Sequence, residues 1–204
     1  MQKKKDNIYN SVLDSARKEF FEKGFSGTNM RTIAKKAGVG LGNIYNYFSS
    51  KDEIFQEVLK PVMNILNGIM EAHNSDANLS IDIFASQEYL REQTKLFVNL
   101  IQKNRNDLNI LFFKANGSSL EDFKEKSINK NTETGLEYLR LMKKKYPEIN
   151  IDFSDFFVHT MGSWTIGIIA ELVMHDLNRE ELERFVSEYL EYSTAGWKKL
   201  MKVD

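Results

Sequence analysis

The chain has 204 residues, with 28 Lys/Arg against 29 Asp/Glu and no cysteine. That excludes disulfides, thiolate chemistry and cysteine-ligated metal centres. The length allows one large domain or two small ones, with room for an apolar core. Charge is divided unevenly: residues 1–51 carry ten Lys/Arg and four Asp/Glu, a balance of +6, and residues 52–204 carry a balance of −7. A basic head on an acidic body points to a polyanion as the head's partner. The N-terminus MQKKKDNIYN is basic but lacks the apolar run of a secretory signal. The longest apolar stretch, Met161 to Met174, reads as too short for a membrane span and carries Glu171. A cytoplasmic location without membrane contact is the expectation.

Almost every segment has helical periodicity, and the fold class is all-α. Ile8, Val12, Leu13, Ala16, Phe20 and Phe21 lie at helical spacing over residues 6–23, and Gly24 is placed to stop that helix. Thr28 is expected to cap a short helix from Asn29 to Ala37. Gly38 breaks it, and a second short helix is expected over 40–47. Ser50 to Glu53 reads as a capping box opening a helix to about His73, with Pro61 as a kink. A loop is expected over 74–84, then helices over 86–103 and 106–115. Ser118 to Glu121 reads as a second capping box, starting a long segment to Tyr146 that breaks near 129–135. Two long helices, 152–176 and 179–201, close the chain, the last with Asn178 as N-cap. The division by motif is a head, residues 1–50, and a body, residues 51–204.

Residues Thr28 to Lys51, TNMRTIAKKAGVGLGNIYNYFSSK, form two short helices joined by a tight turn, the pattern of a helix-turn-helix. Ala34 is small enough for the second helix to cross close to the first. Gly38 supplies the left-handed backbone of the turn. Ile33, Val39, Ile44 and Phe48 are the expected apolar pins. Gly40, Leu41, Gly42, Asn43, Tyr45, Asn46 and Tyr47 remain for the outer face, where such a helix enters the major groove. Asn43 can read adenine, Leu41 can touch a thymine methyl, and the Tyr45 and Tyr47 hydroxyls can bond phosphates. Thr28, Arg31 and Lys51 are expected on the DNA backbone, and Lys3-Lys4-Lys5 as an arm that follows the duplex.

This segment resembles the TetR family of one-component bacterial regulators over about residues 8–60. The resemblance rests on Phe20-Phe21-x-x-Gly24-Phe25, the Thr28 position, Ile33-Ala34-x-x-Ala37-Gly38-Val39, and Gly42-x-Ile44-Tyr45-x-Tyr47-Phe48-x-Ser50-Lys51. It implies a three-helix DNA-binding head and a helical ligand-binding body. It also implies a homodimer, usually a repressor of a palindromic operator released by a small molecule. Gly40-Leu41 departs from the Ser or Thr followed by Lys that members often carry there, so site preference does not transfer.

In the body, the segment 152–176 is apolar nearly all round, so one face needs a partner. Phe156, Ser163, Gly167, Ala170 and Met174, with Phe185 and Tyr189 of the last helix, are the expected dimer contacts. Phe97, Phe113, Tyr138, Met142, Phe157, Met161 and Trp164 are expected around a cavity for an aromatic or lipophilic effector. His73, His159 and His175 form no metal-binding spacing, and no nucleophile elbow occurs, so neither an enzyme nor a cofactor or metal site is expected. The alternatives within this class are a ligand-dependent activator and a helical small-molecule binding protein whose head docks another partner.

Overall fold

A computed structural model describes residues 2–203, with side chains from Asn7 to Val203. The side chains of Lys3-Lys4-Lys5, the expected arm, lie outside the described residues. Among the described residues are eight α-helices, one 3-10 turn and no strand. They form two compact units, one of Met1–Ile65 with Asn106–Lys124 and one of Leu66–Arg105 with Glu125–Asp204. Compactness thus divides the chain differently from the motif boundary at residue 50.

In the first unit, α1 (Gln2–Gly27) buries Val12, Ala16 and Phe20, one residue per turn on one face. Its helical backbone is interrupted at Gly24, at φ 70 and ψ 174. Helix α2 (Met30–Ala37) follows, capped by Asn29, whose Oδ1 accepts from Thr32 N–H at 2.9 Å. Asn29 therefore takes the capping role expected of Thr28. Thr28 is buried and donates its hydroxyl to the Gly24 carbonyl at 2.8 Å. Gly38 sits at φ 68, ψ 27, the left-handed geometry that closes α2. Helix α3 (Leu41–Ile44) is a single turn, so Tyr45 to Tyr47 form a turn where helix was expected.

Helix α4 (Lys51–His73) opens with a modified capping box. Ser50 Oγ accepts from Glu53 N–H at 3.1 Å, but the Glu53 carboxylate reaches Ser49, not Ser50, taking its N–H at 2.6 Å and its hydroxyl at 2.7 Å. Pro61 lies inside this helix. The expected pair 86–103 and 106–115 is one unbroken helix, α5 (Gln87–Phe113), whose last turns belong to the first unit. There the turn after α5 grips the head. Phe25 N–H donates to the Lys114 carbonyl at 2.8 Å, and Ser119 N–H to Asp52 Oδ1 at 2.8 Å. In the Ser118–Glu121 segment, Glu121 accepts from Gly117 N–H at 2.9 Å, and the next helix starts only at Phe123.

The second unit holds a 3-10 turn, Ile81–Phe84, within the expected loop. Helix α6 (Phe123–Lys145) enters it and runs through 129–135 without the expected break. Packing explains this. A Cβ at Gly135 would lie 3.3 Å from Val158 Cγ1, and one at Gly162 3.4 Å from Thr132 Oγ1. The residues that weaken the isolated helix let α6 lie close against α7 (Asp155–Met174). Tyr138, Leu139 and Met142 of α6 join Leu79, Ile149, Val158 and Met201 in one apolar cluster. Helix α7, capped by Ser154, has 20 residues and is long and apolar enough to cross a membrane by length and composition, which corrects the expectation that this region is too short. Its Val158, Gly162, Ile166, Ile169, Leu172 and Val173 are buried within the protein. Helix α8 (Arg179–Leu200) starts at a complete capping box between Asn178 and Glu181, as expected for the Asn178 cap.

Two glycine substitutions should move stability in opposite directions. Gly117 stands at φ 82, and an added Cβ would meet Ser26 Oγ at 2.9 Å. Gly117→Ala is expected to cost about 1–2 kcal/mol, the left-handed backbone penalty. Gly68 is helical with open space around it. Gly68→Ala should add about 0.5–1 kcal/mol. Urea unfolding followed by helical circular dichroism measures both.

Candidate nucleic-acid interface

The α2–turn–α3 segment is held from beneath by apolar side chains and from its sides by charge. Ile33, Ile44 and Phe48 are buried, as expected of pins, with Ala34 buried beside them, and Val39, the fourth expected pin, is half-buried. The Val39 amide bonds the Ala34 carbonyl at 3.0 Å, so the turn is fixed by its own backbone. Tyr9 of α1 stacks on Phe48 at 5.0 Å and donates its hydroxyl to Glu57 at 3.0 Å. Burial, together with the Glu57 carboxylate, raises the Tyr9 pKa. Tyr9 and Tyr47 rings lie 6.5 Å apart, which accounts for Tyr47 being half-buried.

Glu19 fastens α2 to α1. Its carboxylate is fully buried and pairs with Lys36 of α2, and Lys23 approaches it at 3.0 Å. The bond from Lys36 holds Glu19 below the ordinary glutamate value, outweighing the opposing effect of burial, and the same contact raises Lys36. Arg17 reaches buried Asp107 of α5 at 3.2 Å and the Val58 carbonyl of α4 at 3.1 Å. Burial pushes the Asp107 carboxyl up, and Arg17 pulls it back. Tyr9, Arg17 and Glu19 were not singled out from the sequence. A charged residue or tyrosine on a helix normally points to water, and only the mates from distant segments reveal otherwise.

Opposite the pins, Gly40, Gly42, Tyr45 and Asn46 are exposed, and Leu41 and Asn43 half-exposed. Tyr45 has 53% of its surface free. Among the described residues, a Cβ added at Gly40 or Gly42 would meet nothing within 4 Å. Between Lys36 and Lys51 no residue is charged. The outward groups are amides, a phenol and an aliphatic chain, which can meet base edges or phosphates by hydrogen bonding and apolar contact. Arg31 and Lys35 are exposed on α2.

Two expected backbone contacts are placed differently. The Thr28 hydroxyl is spent on the Gly24 carbonyl and the residue is 3% exposed. The Lys51 ammonium donates to the carbonyls of Phe25 at 2.7 Å and Thr28 at 2.8 Å, and lies 4.0 Å from the centre of the Phe25 ring. Burial lowers its pKa against the pull of Asp52. Lys51 therefore braces the end of α1 against the start of α4.

The expected cavity residues divide between the two units. Phe113 is exposed in the first unit, and the other six lie in the second. Tyr138 and Met142 are core, and burial raises the Tyr138 pKa. Phe157 packs on Phe153 and Trp197 at 5.8 and 5.7 Å. Trp164 meets Tyr189 and Tyr192 edge-on at 5.4 and 5.7 Å. Phe97 and Met161 are half-buried. Of the expected dimer contacts, Ala170 is buried within the chain. Ser163, Gly167 and Tyr189 are half-buried, and Phe156, Met174 and Phe185 exposed.

Residues 12–58 match the family of bacterial regulatory proteins, tetR family. The head of the chain is thus similar to tetR-family regulators. It is 34% identical over 71 residues to the biofilm operon icaADBC HTH-type negative transcriptional regulator IcaR of Staphylococcus aureus strain Newman, covering 35% of this chain and 38% of the relative. It is 33% identical over 98 residues to the HTH-type transcriptional regulator YhgD of Bacillus subtilis strain 168, covering 46% and 51%. The matches thus span about two-fifths to a half of these relatives' length. These relatives are regulators of transcription and not enzymes. Among solved structures, a TetR-like transcriptional regulator from Rhodococcus sp. RHA1 matches 93% of this chain and 96% of its own, at TM-score 0.63 and 20% identity. NalD, the secondary repressor of the MexAB-OprM multidrug efflux pump in Pseudomonas aeruginosa, matches 92% and 95%, at TM-score 0.61 and 18% identity. The structural likenesses extend the tetR-type fold over both units.

Two measurements test the assigned supports. Lys51→Met should lower urea stability by about 1.5–3 kcal/mol, the range for hydrogen bonds to a charged group. Arg31→Ala, on the free surface, should stay within about 0.5 kcal/mol. The reverse ranking would make Lys51 a free cation. For Glu19 the sign follows from a folded-state pKa below the ordinary value of 4.5. Its stabilisation is in place above that pH and is lost as pH falls through the lower folded value. The urea midpoint of the parent should therefore drop below about pH 4.5 more steeply than that of Glu19→Gln. Parallel pH profiles would refute it.

Proposed function

We propose that the chain is a cytoplasmic, DNA-binding transcriptional repressor that occupies a palindromic operator as a homodimer and is released by a small molecule. The observation that carries this reading is the tetR-family head with an open, uncharged face at Gly40–Asn46, held rigidly by Glu19, Lys51 and Tyr9. Gly40, Leu41, Gly42, Asn43, Tyr45 and Asn46 read the major groove. Arg31 holds the phosphate backbone, and Tyr47 supports the turn while offering its hydroxyl to a phosphate. Thr28 and Lys51 act on DNA indirectly, by fixing the α2 entry.

Dimer formation uses the uncovered side of α7 and α8. Phe156, Trp164, Met174, Phe185 and Tyr192 are exposed large apolar residues on these two helices. Gly167, with nothing within 4 Å of an added Cβ, permits close approach of a second helix. Isologous pairing of these faces gives a two-fold axis, and two-fold symmetry requires a palindromic site with half-sites a helical turn or multiple apart. Helix α4 begins beside the α2 entry and continues as one helix past the head, which makes it the route by which effector binding changes operator affinity. A coupling of about 1–3 kcal/mol would change that affinity about 5–150-fold.

Selection from a random duplex pool tests the reading. The expected result is an enriched palindrome, bound less tightly as salt rises. Phe156→Glu with Tyr192→Glu should turn the dimer into a monomer in sedimentation and weaken operator binding more than tenfold. A monomeric parent, or a pool without enrichment, would reject this function.

A further inference from the structure

Asn43 and Asn46 lie three residues apart, one on α3 and one in the turn that ends it. The Asn46 backbone N–H donates to the Asn43 carbonyl at 3.2 Å. Their side chains are linked as well: Asn46 Nδ2 donates to Asn43 Oδ1 at 3.3 Å. Each amide thereby commits one group and keeps the other. Among the described residues, Asn43 Nδ2 and Asn46 Oδ1 have no protein partner, and neither is a buried orphan. They are on the face whose neighbours Gly42 and Tyr45 are exposed.

We propose that Asn43 and Asn46 form one specificity unit that reads adenine, Asn43 supplying the donor and Asn46 the acceptor. This rests on the DNA-binding reading of the same face. Adenine presents N7 as acceptor and N6–H as donor in the major groove, matching the outward pair. Guanine presents two acceptors, N7 and O6, and would set O6 against the Asn46 carbonyl. Asn46 is thus a positioning residue for Asn43 as well as a base reader. With one donor and one acceptor spent on the internal bond, the pair leaves one donor and one acceptor facing outward.

The polarity of that bond can be inverted. In Asn46→Asp the carboxylate only accepts, so Asn43 must turn its Nδ2 inward to meet it. The outward groups then become two acceptors, which fit the N4–H donor of cytosine.

The test is selection from duplex pools with the full-length parent, Asn43→Ala, Asn46→Ala, the double variant and Asn46→Asp, compared at equal helicity by circular dichroism. The parent should enrich adenine at one position of each half-site. Asn43→Ala and Asn46→Ala should flatten the preference at that same position, losing about 5–150-fold discrimination, the range for a bidentate base contact. The double variant should lose no more than either single one. Asn46→Asp should move the preference to cytosine. Retained adenine in Asn46→Asp, or losses from the two alanine variants at different positions, would overturn the unit while leaving the regulator intact. A parent that enriches no sequence would overturn both.

Discussion

The Phe25 ring packs against Phe20 and Phe55, with centroids at 6.1 and 5.0 Å, and carries the Lys51 ammonium on its face. Its backbone N–H is held by Lys114, and its carbonyl by Lys51. One residue therefore joins the end of α1, the start of α4 and the turn after α5. Gly24 makes this possible, because its φ of 70° turns the chain out of α1 so that Phe25 points back into the core. A side chain at Gly24 would meet that backbone penalty, and its Cβ would approach the Lys114 carbonyl at 3.4 Å. The direction in which α2 leaves α1, and with it the attitude of α3, follows from this junction.

Charge around the junction serves the protein before it serves a ligand. Lys36 and Lys23 are paired with Glu19, Arg17 with Asp107, and Lys51 with two carbonyls. The +6 balance of residues 1–51 therefore overstates the cations available to phosphates. Arg31 and Lys35 remain exposed on α2. The face between Lys36 and Lys51 has no charge, and its chemistry is that of hydrogen-bonding amides and a phenol. Among the described residues, the paired cations of the head are thus set apart from the uncharged Gly40–Asn46 face.

The sequence made the head legible because its spacing is dictated by close packing. Ala34 and Gly38 must be small or left-handed, and Ile33, Ile44 and Phe48 must be apolar, so their positions announce the turn. The caps were less legible. Thr28 and Asn29 are adjacent and both can cap, and the choice depended on the Gly24 carbonyl becoming free beside Thr28. Lys51 resembled a phosphate ligand because its two carbonyl partners lie 26 and 23 residues away. The continuity of α6 was hidden for the opposite reason. Asn129, Asn131, Thr132 and Gly135 are poor helix formers alone, yet Gly135 is what admits Val158. The aromatic residues of the body share a composition whether they pack or bind, so their division between core and surface was not readable.

Helix α7 shows how far burial alone constrains assembly. Val158, Gly162, Ile166, Ile169 and Val173 recur every three or four residues and are covered by the chain's own structure. Phe156, Ser163, Gly167 and Met174 lie on another line, seven, four and seven residues apart, and are covered only in part or not at all. A solvent-facing line on a helix ordinarily carries charge, and this one carries none until Glu171. Exposed Phe156, with 77% of its surface free, would be an isolated anomaly were Trp164, Met174, Phe185 and Tyr192 not exposed on the same two helices. An apolar area of this kind is stable in water when a complementary surface covers it. A second copy brings the same small-residue line and the same aromatic rim, related by a two-fold axis. The proposed dimer needs no further partner to cover the face, and that axis is what would place two copies of the Asn43–Asn46 pair on opposite half-sites of one duplex.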